Sequence, residues 1–255
     1  MIYVGTAAWS IPKISADSFP SEGSHLERYA QVLNAVEINS SFYKDHLPKT
    51  YKRWADVTPA NFKFSVKLNK RFTHECDLKI DTEDLIKNLD GVSALSGKWG
   101  VLLMQFAAGQ KFDLSDMRKF YRTIRTIYQG PIALEARNMG WMKKEAIELM
   151  REFNISKVSA DPEKCLVEVA SELAYYRLHG SPEIYKSNYD ENYLDDLYKN
   201  DLKKLSGDIW CIFDNTTFGY ATNNAVTIMQ KGESYERYQR IYDDRTITLH
   251  TINEH

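Results

Sequence analysis

The chain has 255 residues, of which 43% are hydrophobic and 27% are charged, with 33 Lys and Arg against 35 Asp and Glu. This balance predicts a globular protein of one large or two small domains, and it gives no support for whole-surface attraction to nucleic acid or to acidic membranes. Three cysteines without a close pair provide neither a disulfide framework nor a zinc-knuckle spacing. The start of the chain lacks a basic segment followed by a long apolar stretch, and the longest apolar run, Trp99 to Met104, is too short to span a bilayer. We therefore expect a cytoplasmic protein with no membrane association.

Eight short runs rich in Val, Ile, Leu and aromatic residues predict eight β-strands. In chain order they are Ile2–Gly5, Ala35–Asn39, Phe62–Lys67, Gly100–Gln105, Ile132–Arg137, Ile155–Ala160, Tyr175–His179 and Ile209–Asp214. Apolar residues at helical spacing predict helices between them, over Ser24–Leu33, Thr82–Leu95, Ser115–Tyr128 and Lys143–Phe153. Thr82 and Ser115 are expected to begin their helices, because acidic residues follow each of them within the first turn.

Alternating strands and helices are typical of parallel strands joined by helical crossovers, and eight strands in about 250 residues match a closed (β/α)8 barrel of the TIM type. We expect one such domain over residues 1–255. An open doubly wound sheet is the alternative, but the turn after the first strand, Gly5 to Trp9, lacks the glycine pattern that such folds use for phosphate. The segment Asp161–Ala174 is barely long enough for a helix, which predicts a short or irregular crossover between strands six and seven. The polar, Tyr-rich segment 233–255 is either an extra helix or a terminal extension.

Polar residues concentrate at the carboxyl-terminal end of the predicted strands. Because side chains alternate along a strand, they share one face, while the opposite face is aliphatic. This polar ring consists of Glu37, Asn39, Lys67, Gln105, Glu135, Arg137, Arg177, His179 and Asp214. Any one of them could be a structural ion pair, but charges that point inward at this end of so many strands indicate the catalytic layer of a barrel.

The ring contains three carboxylates (Glu37, Glu135 and Asp214) and three cations (Lys67, Arg137 and Arg177). A divalent ion prefers a net negative cage, so we predict no metal and no cofactor, with a divalent metal left as an alternative. Arg137 and Arg177 are instead expected to bind a phosphate or carboxylate, and neighbouring acids and bases to perform proton transfer. The predicted catalytic residues are Glu37, Lys67, Glu135, His179 and Asp214.

The predicted substrate-binding residues lie in the ring and in the loops that follow it. They are Trp9, Asn39, Tyr43, His74, Gln105, Arg137, Trp141, Arg177 and Asn215. For Trp9, Phe42, Tyr43 and Trp141 the alternative is packing between the helices and the barrel, and for His74 it is a solvated loop position. Cys211 lies on the outward face of strand eight, where an inert buried thiol is expected.

These motifs resemble the YecE-like family, also called domain of unknown function 72. The matching pieces span nearly the whole chain and include Gly5-Thr6 with Trp9-Ser10, Val36-Glu37-Ile38-Asn39, Phe62 to Lys67 with Thr73-His74, Glu135-Ala136-Arg137 with Trp141, Arg177-Leu178-His179-Gly180 and Phe213-Asp214-Asn215-Thr216. The resemblance implies a β/α barrel and no established reaction. The chain departs from the family pattern at Ala8, at Ser41 and at Phe106-Ala107-Ala108, where the family has Gly, Thr and a Leu-Pro-Pro-like turn.

The expected function is an enzyme that uses acid–base chemistry on a small anionic or sugar-like substrate at the carboxyl ends of the strands. One alternative is a metal-dependent hydrolase or nuclease on the same barrel. Another is a binding protein that returns its small molecule unchanged. Binding to nucleic acid is not expected because the chain lacks a net basic surface, and the sequence makes no prediction of oligomeric state.

Overall fold

The computed structural model describes residues 1–75, 79–163 and 172–235, and its centre is a ring of eight parallel strands. The strands are β1 (Ile2–Thr6), β2 (Ala35–Ile38), β3 (Lys63–Lys67), β4 (Trp99–Gln105), β5 (Ile132–Glu135), β6 (Ile155–Asp161), β7 (Leu173–Leu178) and β8 (Asp208–Phe213). Each strand from β2 to β7 pairs with the next, and β8 pairs with β1. The predicted TIM-type barrel is confirmed, and every predicted strand agrees with the observed one to within two residues at each end.

Helices lie in most of the connections between strands. They are α1 (His25–Tyr29), α2 (Pro48–Asp56), α3 (Thr82–Ser93), α4 (Leu114–Ile127), α5 (Lys144–Glu152) and α6 (Glu191–Asp196), and residues 220–235 are helical after β8. The four predicted helices are present, although α1 is shorter than predicted. The predictions missed α2, α6 and the helix over 220–235.

Helix α3 begins at Thr82 as predicted, and α4 begins at Leu114, one residue before the predicted Ser115. The side chain of Asp81, rather than Thr82, accepts hydrogen bonds from the backbone N–H groups of Glu83 and Asp84 at the start of α3. Asp113 has the same role for α4, where it accepts from the backbone N–H of Asp116. In both helices a carboxylate accepts hydrogen bonds from free N–H groups and interacts favourably with the positive end of the helix dipole.

The barrel closes between β1 and β2 largely through side chains instead of a backbone ladder. The backbone pairing there is a single bridge between Ala7 and Glu37. The Asn34 amide accepts from Val4 N at 2.7 Å and donates to Ile2 O at 2.9 Å. The buried hydroxyl of Tyr29 accepts from Thr6 N at 2.8 Å and donates to the carbonyl of Ala35 at 3.0 Å. These contacts satisfy edge groups that would otherwise be unpaired.

The two faces of the strands pack as the alternation predicted. Outward residues such as Val36, Ile38 and Cys211 join the cluster beneath the helices. Inward apolar residues fill the lower part of the barrel, and the rings of Tyr175 and Trp210 stack there at 5.9 Å. The inward charged residues lie above this apolar layer, at the carboxyl ends of the strands.

Several predictions fall outside the described residues. They concern Cys76, Cys165, the middle of the crossover between strands six and seven, and residues 236–255 of the terminal segment. Within the described ranges, no helix combines the length and the apolar composition that crossing a bilayer requires.

Candidate active site at the carboxyl ends of the strands

Arg177, from β7, lies at the centre of the polar ring and is only 1% exposed. Its Nε and Nη2 atoms donate to the two carboxylate oxygens of Glu37 at 2.8 and 2.6 Å. Its Nη1 donates to Glu135 at 2.5 Å, and Nη2 also donates to Asp214 at 3.1 Å. One guanidinium thus joins residues from β2, β5 and β7 and the end of β8 across the barrel.

This arrangement changes the predicted role of Arg177. We expected its guanidinium to bind a substrate anion, but three carboxylates of the chain already occupy it. A buried cation paired with three acids offsets part of their charge and fixes their positions. Arg177 therefore lies beneath the exposed part of the ring, where it positions the three carboxylates.

The same guanidinium controls the protonation of the acids around it. Burial alone would raise the pKa of Glu135, but the charges of Arg177, His179 and Arg137 hold it well below its usual range. Burial likewise acts against ionisation of Asp214, yet Arg177 and His179 lower its pKa. Both groups are carboxylates at neutral pH, when they can accept hydrogen bonds but not donate them.

Tyr175 and Ser65 form further hydrogen bonds below the ring. The hydroxyl of Tyr175 lies 3.0 Å from Glu37 Oε2 and 2.7 Å from the hydroxyl of Ser65. Sequence reasoning placed both residues on the inward face without assigning them to the site. Strand periodicity gives the face of a side chain but not its contact partners, so no signal in the sequence separated these residues from ordinary core positions.

His179 is held by two of the carboxylates. Its Nδ1 lies 3.0 Å from Asp214 Oδ2, and because that carboxylate can only accept, Nδ1 carries the proton. Its Nε2 is 3.5 Å from Glu135 Oε1, an ion-pair distance, and has no hydrogen-bond partner among the described residues. Although burial lowers the pKa of His179, the hydrogen bond to Asp214 and the nearby carboxylate of Glu135 outweigh this effect and raise the pKa above its ordinary value.

Gln105 and Arg137 bind the remaining side of Glu135. Gln105 Nε2 donates to Glu135 Oε1 at 3.0 Å, and Arg137 Nε donates to the same oxygen at 2.8 Å. The side chain of Arg137 is 25% exposed, in contrast to that of Arg177. Arg137 is therefore the arginine of the ring that a ligand can reach.

Lys67, at the end of β3, is the one cation of the ring whose side chain forms no ion pair or hydrogen bond with any described residue. It is 8% exposed, and its Nζ lies 4.3 Å from the centroid of the Phe42 ring. Burial and the charge of Arg177 lower the pKa of Lys67 to about 8, against the opposing influence of the three carboxylates. A buried amine near its own pKa is suited to chemistry at neutral pH.

We expect the substitution Lys67→Met to stabilise the protein by about 2 kcal/mol at about pH 7. The lowered pKa corresponds to a destabilisation of about 3 kcal/mol from the buried charge, which the substitution removes. The substitution also removes the contact between Nζ and the Phe42 ring, which stabilises the wild type by about 1 kcal/mol. Below the folded-state pKa both states carry the proton and the penalty is complete. As the pH rises from 8 towards 10.5, wild-type stability increases, because only the unfolded chain still binds the proton. Urea unfolding at about pH 7 and pH 10 measures this, and equal stabilisation at both values would contradict it.

Asn39 and His74 come from the strand ends on the Lys67 side of the ring. Oδ1 of Asn39 is buried without a hydrogen-bond partner among the described residues. The His74 ring lies edge-on to Phe42 at 5.0 Å, and its Nδ1 is 2.9 Å from the hydroxyl of Thr73. Burial and the charges of Lys67 and Arg137 lower the pKa of His74, so its imidazole is neutral at neutral pH.

Four predicted substrate-binding residues lie away from the carboxylates. Trp141 is 2% exposed and stacks on Phe106 at 4.7 Å, so it packs beneath the loop after β5. Asn215 is fully buried, and its amide donates to Ser187 O and to Asn224 Oδ1. Trp9 packs edge-on against Trp54. Tyr43 is 71% exposed. Substrate contact stays a prediction for Trp9 and Tyr43, whereas Trp141 and Asn215 support the loops.

A pocket of about 190 Å³ opens beside the ring at the ends of β5, β6 and β7. Its lining includes Glu135, Arg137, His179, Pro162, Ile184 and Tyr185. Sequence reasoning missed the last three of these as site residues, because they lie in loops where periodicity carries no information. Tyr185 has a backbone φ of +68°, and its ring lies edge-on to His179 at 5.8 Å. A strained backbone at a non-glycine residue is a feature that concentrates at functional sites.

No three acidic, histidine or cysteine side chains form a metal-binding arrangement within residues 1–75, 79–163 and 172–235. The reason is visible in the ring itself. The guanidinium of Arg177 lies among Glu37, Glu135 and Asp214, where a cation bound by those acids would have to sit.

Comparisons with known proteins identify the family. The family model "Protein of unknown function DUF72" matches residues 3–244. The chain belongs to the DUF72 family. The UPF0759 protein YunF of Bacillus subtilis is 23% identical to this family member, over 90% of this chain and 94% of that protein. The UPF0759 protein YecE of Escherichia coli is 31% identical over 108 residues, which are 42% of this chain and 38% of that protein.

Solved structures agree with the DUF72 assignment. A crystal structure of a DUF72 family protein from Enterococcus faecalis has a TM-score of 0.75 and 23% identity, and it covers 90% of this chain and 94% of that one. A DUF72 family protein from Thermotoga maritima has a TM-score of 0.74 and 23% identity, over 91% and 99% of the two chains. At this level of identity the likeness shows the barrel fold alone.

Proposed function

We propose that this DUF72 protein is an enzyme that performs acid–base chemistry on a small anionic or sugar-like molecule at the carboxyl ends of its strands. The observation that carries the proposal is the state of His179. Asp214 orients its imidazole through Nδ1, while Nε2 has no hydrogen-bond partner among the described residues, and the side chain lines the pocket. A carboxylate-oriented histidine with one uncommitted nitrogen is the arrangement of a general acid or base.

The size and charge of the pocket support a small, anionic substrate. Its volume of about 190 Å³ is below the range of about 300–1,000 Å³ typical of drug-sized ligands. Arg137 presents a partly exposed guanidinium there, whereas Arg177 is buried and paired with the three carboxylates. The proposed chemistry uses side chains alone and takes place in the cytoplasm.

Exchange of carbon-bound hydrogen with solvent tests this proposal. We expect the wild-type protein in D2O to replace a C–H proton in at least one member of a panel of aldoses, ketoses, sugar phosphates, 2-hydroxy acids and 2-oxo acids, as followed by proton NMR. The substitution His179→Gln should slow that exchange by about 10²–10⁴-fold, the usual contribution of a general acid or base. The substitution His25→Gln, at an exposed position in α1, is the matched control and should leave the rate unchanged.

Two outcomes oppose the proposal. Equal exchange by the wild type and the His179→Gln variant would remove the histidine from the chemistry. A panel member that binds tightly, by line broadening, and is never exchanged would favour a non-catalytic binding protein.

A further inference from the structure

The bonding of Lys67 separates it from the other partly buried lysines. Lys98 donates to the carbonyls of Ala55 and Thr58, each at 2.5 Å. Lys157 pairs with Glu163 at 2.8 Å, and Lys231 with Glu191 at 2.5 Å. Each of these ammonium groups has an acceptor that explains its position. The Lys67 ammonium is at least as buried and has no acceptor within the described part of the chain.

Its surroundings suit an amine that reacts. The Phe42 ring covers one side of Nζ at 4.3 Å, and the electrostatic influence of Glu37, Glu135 and Asp214 reaches it from the ring. With a pKa of about 8, about a quarter of this amine is neutral at about pH 7.5, against roughly a thousandth of an ordinary lysine. A neutral amine is the nucleophile that attacks carbonyl groups.

We infer that Lys67 forms a covalent imine with its substrate, which makes the substrate of this site a small aldehyde or ketone. This inference rests on the proposed function and names the substrate class for it. Within the described part of the chain, Lys67 is a buried amine without an acceptor at the carboxyl end of β3, packed against Phe42 and within electrostatic reach of the three carboxylates of the ring.

The steps balance with groups of the chain. Nζ attacks the carbonyl carbon, and one of its protons moves to the carbonyl oxygen to give a carbinolamine. Protonation of that hydroxyl by His179, whose protonated form is favoured by its two carboxylate neighbours, lets water leave, and the nitrogen lone pair forms the C=N bond. The resulting iminium is a cation that the nearby carboxylates stabilise. It accepts the electron pair released when a base, such as the neutral imidazole of His74, removes a proton from the adjacent carbon.

Reductive trapping tests the imine. The full chain is incubated with pyruvate, dihydroxyacetone or glyceraldehyde, reduced with sodium cyanoborohydride, and mapped by mass spectrometry of its peptides. We expect one of these probes to add once to Lys67, with an added mass equal to that of the probe less one oxygen atom. The labelling rate at Lys67 should exceed that at Lys157 at least tenfold. The substitution Lys67→Met should abolish the adduct, and Lys157→Met should retain it.

The outcomes separate the imine from the broader proposal. Adducts spread over exposed lysines, or none at all, overturn the imine, and hydrogen exchange that persists in that case leaves the acid–base proposal standing. An adduct on Lys67 without hydrogen exchange supports the imine and contradicts the proposed acid–base catalysis. Because peptide mapping of the wild type locates the label, the result does not depend on the folding of any variant.

Discussion

Replacing Arg177 with Met is expected to lower the free energy of unfolding by about 3–5 kcal/mol at about pH 7. The substitution removes the shared partner of three buried carboxylates, which exposes them to one another's charge in the barrel interior. Unfolding in urea, followed by tryptophan fluorescence, measures the loss. The matched control is Arg137→Met, which removes a partly exposed guanidinium bound to one of the same acids and should cost about 1 kcal/mol or less.

The pH dependence of the loss identifies its cause. In the wild type the pKa values of Glu135 and Asp214 are depressed, so their stabilisation is present above the unfolded-state pKa and is lost as the pH falls through the folded-state values. Without Arg177, burial raises these pKa values instead, and the variant gains stability as the acids take up protons. The difference between the two proteins should therefore shrink between about pH 7 and pH 4. A constant difference would show that lost packing, rather than unpaired charge, causes the effect.

The second large effect is expected at Gly5, in β1. A Cβ built there lies 2.1 Å from the carbonyl oxygen of Ala35 and 3.1 Å from the hydroxyl of Tyr29. The first of these neighbours is backbone and cannot rotate away, so Gly5→Ala must push β1 from β2 and stretch the hydrogen bonds of Tyr29. Overpacking of this kind costs about 1–3 kcal/mol, and the weakened hydrogen bonds bring the expected loss to about 3 kcal/mol or more.

A second glycine provides the comparison for that experiment. Gly97 has no atom within 4 Å of a built Cβ, so Gly97→Ala should change the unfolding midpoint by little. If the Gly5→Ala variant unfolds at the same urea concentration as the wild type, β1 and β2 do not lie as close together as described.

The sequence predicted the fold and the composition of the ring because both depend on local patterns. Barrel strands are short buried runs between turns, and their alternation assigned Glu37, Glu135 and Arg177 to the inside correctly. Helix α2 was missed because Tyr51 is the only buried residue of its nine. A pattern of two or three residues gives the face of a side chain and the end of a strand at which it lies.

These local patterns could not predict which side chains contact one another across the barrel. Arg137 and Arg177 look alike in sequence, yet one is a quarter exposed and the other is enclosed by acids from three other strands. Trp141 and Tyr185 show the same limit in the loops. Trp141 was predicted to contact the substrate but packs beneath a loop, whereas Tyr185 was not assigned to the site but lines the pocket. The geometry of the loops decides both positions.

The way in which the barrel closes also sets an order of events during synthesis. The ladder partner of β1 is β8, about 200 residues further along the chain. At a synthesis rate of roughly 5–20 residues per second, β1 waits on the order of 10–40 s for that partner. In the folded barrel Asn34 and Tyr29 join β1 to β2, and these contacts need no residue that is made later. The three acids of the ring emerge in the order Glu37, Glu135, Asp214, with Arg177 made before the last of them. The barrel therefore closes around these acids only after the arginine that pairs with them has been made.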